Sequence, residues 1–240
     1  MVRYVWFGLL SISFCFSFAQ KLPSSLYIDV EGNKKSFFYK EEVSIQDYYD
    51  IIEILKREYG EDSEQYKSLI PDTAKFRTLY GFPFFYLMKD ISYETADSIR
   101  KLHQTLPMVA ISYEQAKACC QWMGIIHNKS SKSKYVWQYS LPEKTDYETA
   151  LSSKKAKITQ KKSLSPLQVK YKCRTNKNWN ICRPKNSGNY IFGLTDNVAE
   201  YTQDGVVAEG GKNDTLKFVE EKDCETSIGF RLKLTVVSKK

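Results

Sequence analysis

Apolar residues recur along this chain with two different periods. Leu26-Tyr27-Ile28-Asp29-Val30 and Phe37-Phe38-Tyr39 flank the polar stretch Glu31-Gly32-Asn33, which predicts a β-hairpin within residues 24–43. The period then changes. Ile45, Tyr48, Ile52 and Leu55 fall on one helical face, with Ser44 placed as N-cap and Gly60 as the stop. Val43, just before the cap, is positioned to staple against Tyr48. A second helix starts at Ser112, with Gln115 at capping-box spacing. Its stripe is Ala116, Cys119, Cys120 and Met123, and Gly124 is the expected stop. Between them, residues 61–106 alternate polar and aromatic positions and read as a connecting region with one helix around Tyr93–His103. There is no internal repeat and no linker, so a single domain is expected.

The N-terminus does not belong to that domain. Arg3 precedes an apolar run from Val5 to Phe18, and Ser17-Phe18-Ala19 fits a small-x-small cleavage rule. Residues 1–19 therefore read as a secretory signal peptide, with the mature chain, 20–240, starting near Gln20. The run is short of the roughly 20 apolar residues a span needs, and no later segment is apolar enough to cross a bilayer. The expected location is secreted or periplasmic, with no transmembrane segment after cleavage. Export changes how the cysteines read. The mature chain keeps Cys119, Cys120, Cys173, Cys182 and Cys224, an odd number. Cys173 and Cys182 are close in sequence and loop-like, and make the best candidate bridge. Cys119 and Cys120 diverge by about 100° on a helix and are not expected to bond each other.

Charge is uneven. The net charge is +8, yet residues 152–185 hold eleven Lys or Arg and no Asp or Glu, leaving the rest slightly acidic. Such a segment reads as a solvated basic loop or a docking face for an acidic protein or anionic glycan. The export signal argues against a nucleic-acid partner.

Four short motifs then stand in order: Pro107-Met108-Val109-Ala110-Ile111-Ser112-Tyr113-Glu114-Gln115-Ala116, Cys120-Gln121-Trp122, Asn197-Val198-Ala199-Glu200-Tyr201 and Gly229-Phe230-Arg231. Tyr139-Ser140-Leu141-Pro142-Glu143 through Ala150 and Gly210-Gly211 fall between them. Together these resemble the formylglycine-generating enzyme (sulfatase-modifying factor) family, over a core of about 36–234. The resemblance implies an α+β fold of the C-type-lectin-like kind, with small sheets, few helices and much irregular loop.

The same resemblance locates chemistry that the chain lacks. Family members that make formylglycine hold copper with two cysteines soon after the Gly-Gly segment, because thiolates suit Cu(I). Here Lys212 to Glu221 contains no cysteine, and Cys224 lies closer to Gly-Phe-Arg than that pair should. An iron-binding branch uses clustered histidines, whereas this chain has only His103 and His127. No catalytic residue, copper or iron is therefore expected, and Asp146 and Glu148 read as a helix face. One site carries over by resemblance: calcium on the carbonyls of Thr195, Asp196 and Val198 and the carboxylate of Glu200. The competing reading has Asn197 and Glu200 simply holding loops together. Arg231 is expected in a buried ion pair or on carbonyls. The function expected is a non-catalytic domain that binds a protein or glycan partner, or assists assembly, in the cell envelope. The alternatives are a divergent oxidoreductase using Cys224 with Cys173 or Cys182, and a lectin-like glycan binder using Trp137 and Trp179.

Overall fold

The computed structural model describes residues 27–32, 35–85, 106–131, 133, 135–153, 157–159, 190–195, 197–210, 215–224 and 226–239. The signal peptide, the Tyr93–His103 helix, His103, Cys173, Cys182, Trp179, Asp196 and nearly all of the basic segment 152–185 lie outside them. Among the described residues, no helix is long and apolar enough to cross a membrane.

The expected hairpin is present. β1 (Tyr27–Ile28) runs antiparallel to β2 (Ser36–Tyr39), pairing Tyr27 with Tyr39 and Ile28 with Phe38. The turn is fixed where the Gly32 N–H donates to Asp29 Oδ1 at 2.6 Å. Helix α1 (Ile45–Tyr59) follows, with Ser44 and Asp47 forming a reciprocal capping box. Ile45, Tyr48, Ile52 and Leu55 are all buried, as their spacing predicts.

The stretch after it holds more helix than the polarity pattern indicates. Ser63 caps α2 (Glu64–Lys67), and Asp72 caps α3 (Thr73–Tyr80), which ends at Gly81 in the left-handed conformation. Phe76 and Tyr80, one turn apart, are the buried pair of α3. Two apolar positions are too few to stand out as a period, although Asp72 ahead of them is a legible cap.

Helix α4 (Tyr113–Ser130) starts at the expected capping box but does not stop at Gly124. That glycine faces an edge strand. A methyl group there would lie 3.7 Å from the Tyr139 amide nitrogen and 3.8 Å from the Trp137 carbonyl oxygen, which is ordinary van der Waals contact. The strand is β3 (Tyr135–Ser140). One turn further on, the Asn128 amide mimics a neighbouring strand: Nδ2 donates to the Trp137 carbonyl at 2.6 Å, and Oδ1 accepts from its N–H at 2.9 Å. A free strand edge is thereby paired within the molecule.

The remaining elements are α5 (Lys144–Ser152), β4 (Lys157–Thr159), β5 (Tyr190–Phe192), β6 (Ala199–Tyr201), β7 (Val207–Gly210), β8 (Leu216–Val219), β9 (Ile228–Phe230) and β10 (Lys233–Lys239). Among the described residues the strands form three sheets, ordered β1-β2-β10-β3, β4-β5 and β8-β7-β6-β9. The last strand in sequence sits between β2 and β3, so the first sheet closes only when the C-terminal end of the chain inserts. The larger core joins α1, α3 and α4 to one face of this sheet through residues such as Tyr48, Phe76, Cys119 and Leu234. A smaller core holds Ile28, Phe38, Tyr147, Ile191 and Leu194. The class is mixed α+β with small sheets and few helices, as the sequence indicates.

Gln115 does more than cap. Its Nε2 also donates to the carbonyls of Ile70 at 2.6 Å and Ser68 at 3.2 Å, fixing the α2–α3 connection to α4. Ser112→Ala should cost about 1 kcal/mol through the lost cap. Gln115→Ala should cost about 2 kcal/mol, since it also strands those carbonyls. Urea midpoints at constant m check the order, and equal losses would mean that the tether carries no stability.

Candidate functional site

The centre of the molecule is polar. Arg231 lies between β9 and β10 and is completely buried. Its Nε donates to Glu200 Oε2 at 3.0 Å, and its Nη2 to Glu200 Oε1 at 2.7 Å, a two-pronged pair. Nη2 also reaches the Phe192 carbonyl at 2.7 Å, and Nη1 the Tyr39 carbonyl at 3.1 Å. The Tyr147 hydroxyl donates to Glu200 Oε2 at 2.7 Å, and the Phe38 ring centroid lies 5.5 Å from the guanidinium carbon. One side chain thus joins β2, β5, β6 and, through Tyr147, α5. Only Arg offers donors in such a planar fork. Burial pushes the Glu200 carboxyl above its usual range, although the Arg231 charge and the donated hydrogen bonds pull it down.

A second carboxylate stands next to this pair. Asn197, at φ 75, donates from Nδ2 to Glu42 Oε1 at 2.7 Å. Gly193 packs against the same carboxylate so closely that a Cβ would lie 2.0 Å from Oε1, and its φ of 66 also favours glycine. The motifs meet around this centre. The Val43 N–H donates to the Phe230 carbonyl and the Met108 N–H to the Val43 carbonyl, both at 2.8 Å. A Cβ on Gly229 would lie 2.8 Å from the Met108 carbonyl oxygen. Residues separated by more than a hundred positions are therefore held in direct contact.

This geometry decides what the expected site residues can do. The Glu200 carboxylate faces a guanidinium, so it does not fit the role of a calcium ligand: a divalent ion there would sit beside a buried positive charge. Thr195 and Val198 are buried nearby, and Thr195 Oγ1 has no hydrogen-bond partner among the described residues. Asp196 lies outside them. No group of three or more His, Cys, Asp or Glu among the described residues is arranged to hold a metal ion.

Cys119, Cys120 and Cys224 are free thiols. Burial raises the pKa of all three above the ordinary thiol value. Cys224 donates to Glu209 Oε1 at 3.6 Å and to the Thr226 carbonyl at 3.5 Å. Thiols so placed stay protonated at neutral pH and make poor nucleophiles.

His127 has a structural setting, with Nδ1 2.8 Å from the Tyr139 hydroxyl and its ring stacked on Trp137. Trp137 is itself buried against Phe37 and Tyr135, so it does not offer the exposed ring that a glycan face would use. Asp146 caps α5 by accepting from the Glu143 N–H at 2.7 Å and pairs with Lys233 at 2.8 Å, while exposed Glu148 lies near Lys144. They are two helix positions with separate partners.

Sequence reasoning missed Glu42, Tyr147 and Asp50. Glu42 and Tyr147 acquire meaning only when distant strands meet. Asp50 lines a cavity of about 90 Å³ between α1 and α4, with Asp47, His127, Tyr27, Tyr139 and the apolar walls of Ile51, Ile54, Met123 and Ile126. Burial pushes its pKa up to about 6, against a hydrogen bond from Gln46 and with help from the charges of Asp47 and Glu53.

No protein-family model, curated protein or solved structure matches this chain.

Two outcomes are expected. Arg231→Met leaves a buried carboxylate unpaired and should cost about 3–5 kcal/mol. The double change Arg231→Met with Glu200→Leu should recover part of that, and a double-mutant cycle in denaturant checks it. For Asp50 the native pKa of about 6 exceeds the unfolded value of 3.8, so the native state holds the extra proton between these values. Stability should therefore fall as pH rises from about 4 to above 6. Asp50→Asn should raise the melting temperature at pH 8 and leave it nearly unchanged at pH 4.

Proposed function

We propose that the chain is an exported, non-catalytic domain of the formylglycine-generating-enzyme type, with a C-type-lectin-like fold, that binds a partner or assists assembly in the cell envelope. One observation carries the reading. The two most family-like motifs, Asn197 to Tyr201 and Gly229 to Arg231, meet face to face in the Glu200–Arg231 pair. That contact supports reading the two motifs as a scaffold. Among the described residues, Cys119 and Cys120 are turned to packing and Cys224 to neighbouring acceptors, and burial raises the pKa of each, which supports a structural reading of these three thiols. The leader from Arg3 to Ala19 supports export.

Calcium belongs to this reading only through the oxygens of the 195–198 loop, since Glu200 is committed to Arg231. The buried, unpartnered Thr195 hydroxyl supports it. One equivalent of calcium by elemental mass spectrometry after dialysis keeps the ion in the proposal, and none removes it.

The decisive experiment is oxygen uptake by copper-loaded mature protein given a cysteine-containing peptide. No uptake above a protein-free control is expected. Uptake that disappears in Cys224→Ser would overturn the reading and establish the oxidoreductase, with Cys173 or Cys182 as the second thiol.

A further inference from the structure

A polar cleft of about 570 Å³ opens against the first sheet, walled by α4, the start of α5 and the turn after β6. It is several times larger than the cavity at Asp50 and falls in the size range of ligand sites. Its floor is a row of short polar side chains. Thr235 in β10 stands across from both Ser36 in β2 and Gln138 in β3, and Ser140 stands across from Lys233 on the same face. Gln121 of α4 and Gln203 of the turn complete the lining.

The charges in this cleft are already engaged. Lys233 pairs with buried Asp146 at 2.8 Å, Lys117 lies 3.5 Å from Glu114 and over the Tyr113 ring, and Lys35 and Glu31 have partners of their own. The neutral groups are not. The side chains of Gln121, Gln138, Gln203, Ser140 and Thr235 make no hydrogen bond to any described residue. Three amides and two hydroxyls, donors and acceptors together, line one concave surface. Glu143, near Thr145, is the remaining acid.

That inventory selects a ligand. An anion would need a free cation. A protein partner would need an apolar anchor, and the apolar lining residues Leu141, Tyr139 and Cys120 are all buried beneath the surface. A carboxamide donates and accepts at once, which matches a pair of neighbouring sugar hydroxyls. We propose that this cleft binds a neutral oligosaccharide through Gln121, Gln138 and Gln203, with Ser140 and Thr235 on the floor. The proposal rests on the reading of the chain as a non-catalytic binding domain, and it uses a different surface from the Trp137 face, which is buried.

The test is a titration of the isotope-labelled mature protein with chitotetraose, maltotetraose and cellotetraose, read on the glutamine side-chain amide signals. Saturable shifts of the Gln121, Gln138 and Gln203 amides with one of these sugars, at submillimolar to millimolar affinity, are expected. The double variant Gln121→Ala/Gln138→Ala changes two exposed positions, should keep the native backbone spectrum, and should weaken binding about tenfold or more. No shift with any sugar overturns the proposal, as does binding that survives the double variant. Shifts produced by a neutral Gly-Ser peptide and by no sugar would reassign the cleft to an extended peptide and also overturn it. The oxygen-uptake assay on the same preparation separates the two failures: uptake defeats the non-catalytic reading, whereas silence in both assays defeats the cleft alone.

Discussion

A guanidinium sealed from water must find its acceptors inside the protein, and the cost of leaving any donor unmet sets the arrangement around it. Arg231 satisfies this with the Glu200 carboxylate and the carbonyls of Tyr39 and Phe192. Those acceptors come from three strands in two distant regions of the chain. The strands are short, and β5, β6 and β9 have three residues each, so their own ladders supply few bonds. The buried fork compensates by fixing their relative positions. A hydrophobic substitute of equal volume could fill the space but would remove the hydrogen bonds that Arg231 gives to the two carbonyls.

The second carboxylate extends the same constraint outward. Glu42 accepts a hydrogen bond from Asn197 and presses against Gly193, so it constrains both of these positions between β5 and β6. Both loop residues have left-handed backbone, Gly193 at φ 66 and Asn197 at φ 75. Glycine and asparagine are the residue types that tolerate this conformation. The loop is therefore shaped by polar contacts from α1's leading segment rather than by packing alone. Among the described residues, neutral amides and hydroxyls over the first sheet make no internal hydrogen bond.

Local signals in the chain were readable where a short stretch carried its own instruction. Ser44 with Asp47 and Ser112 with Gln115 announce helix starts through side-chain capping, and the hairpin from Tyr27 to Tyr39 follows from alternation around Gly32. Gly124 misleads for a physical reason. Its low helix propensity costs about 1 kcal/mol, which a long helix capped at Ser112 and packed on β3 absorbs. Trp137 misleads similarly: an aromatic residue in a polar stretch resembles a ligand-stacking surface until α4 covers it. Asp50 could have been noticed as an acid among Ile51, Ile52 and Ile54, yet its neighbours across the cavity come from α4, β1 and β3.

The sequence by itself determined the start of the long helices and the hairpin, which depend on residues close together; the mixed α+β class and a buried, partnered Arg231 were implied by the family resemblance. Tertiary structure alone decided that Glu200 pairs with Arg231. It also decided that Cys119 and Cys120 are buried and Cys224 partly so, that β10 closes the first sheet between β2 and β3, and that unpartnered amides from three segments share one cleft. Those outcomes depend on which distant groups become neighbours in a low-dielectric interior. Proximity of that kind is fixed by the whole packing, not by any window of the chain.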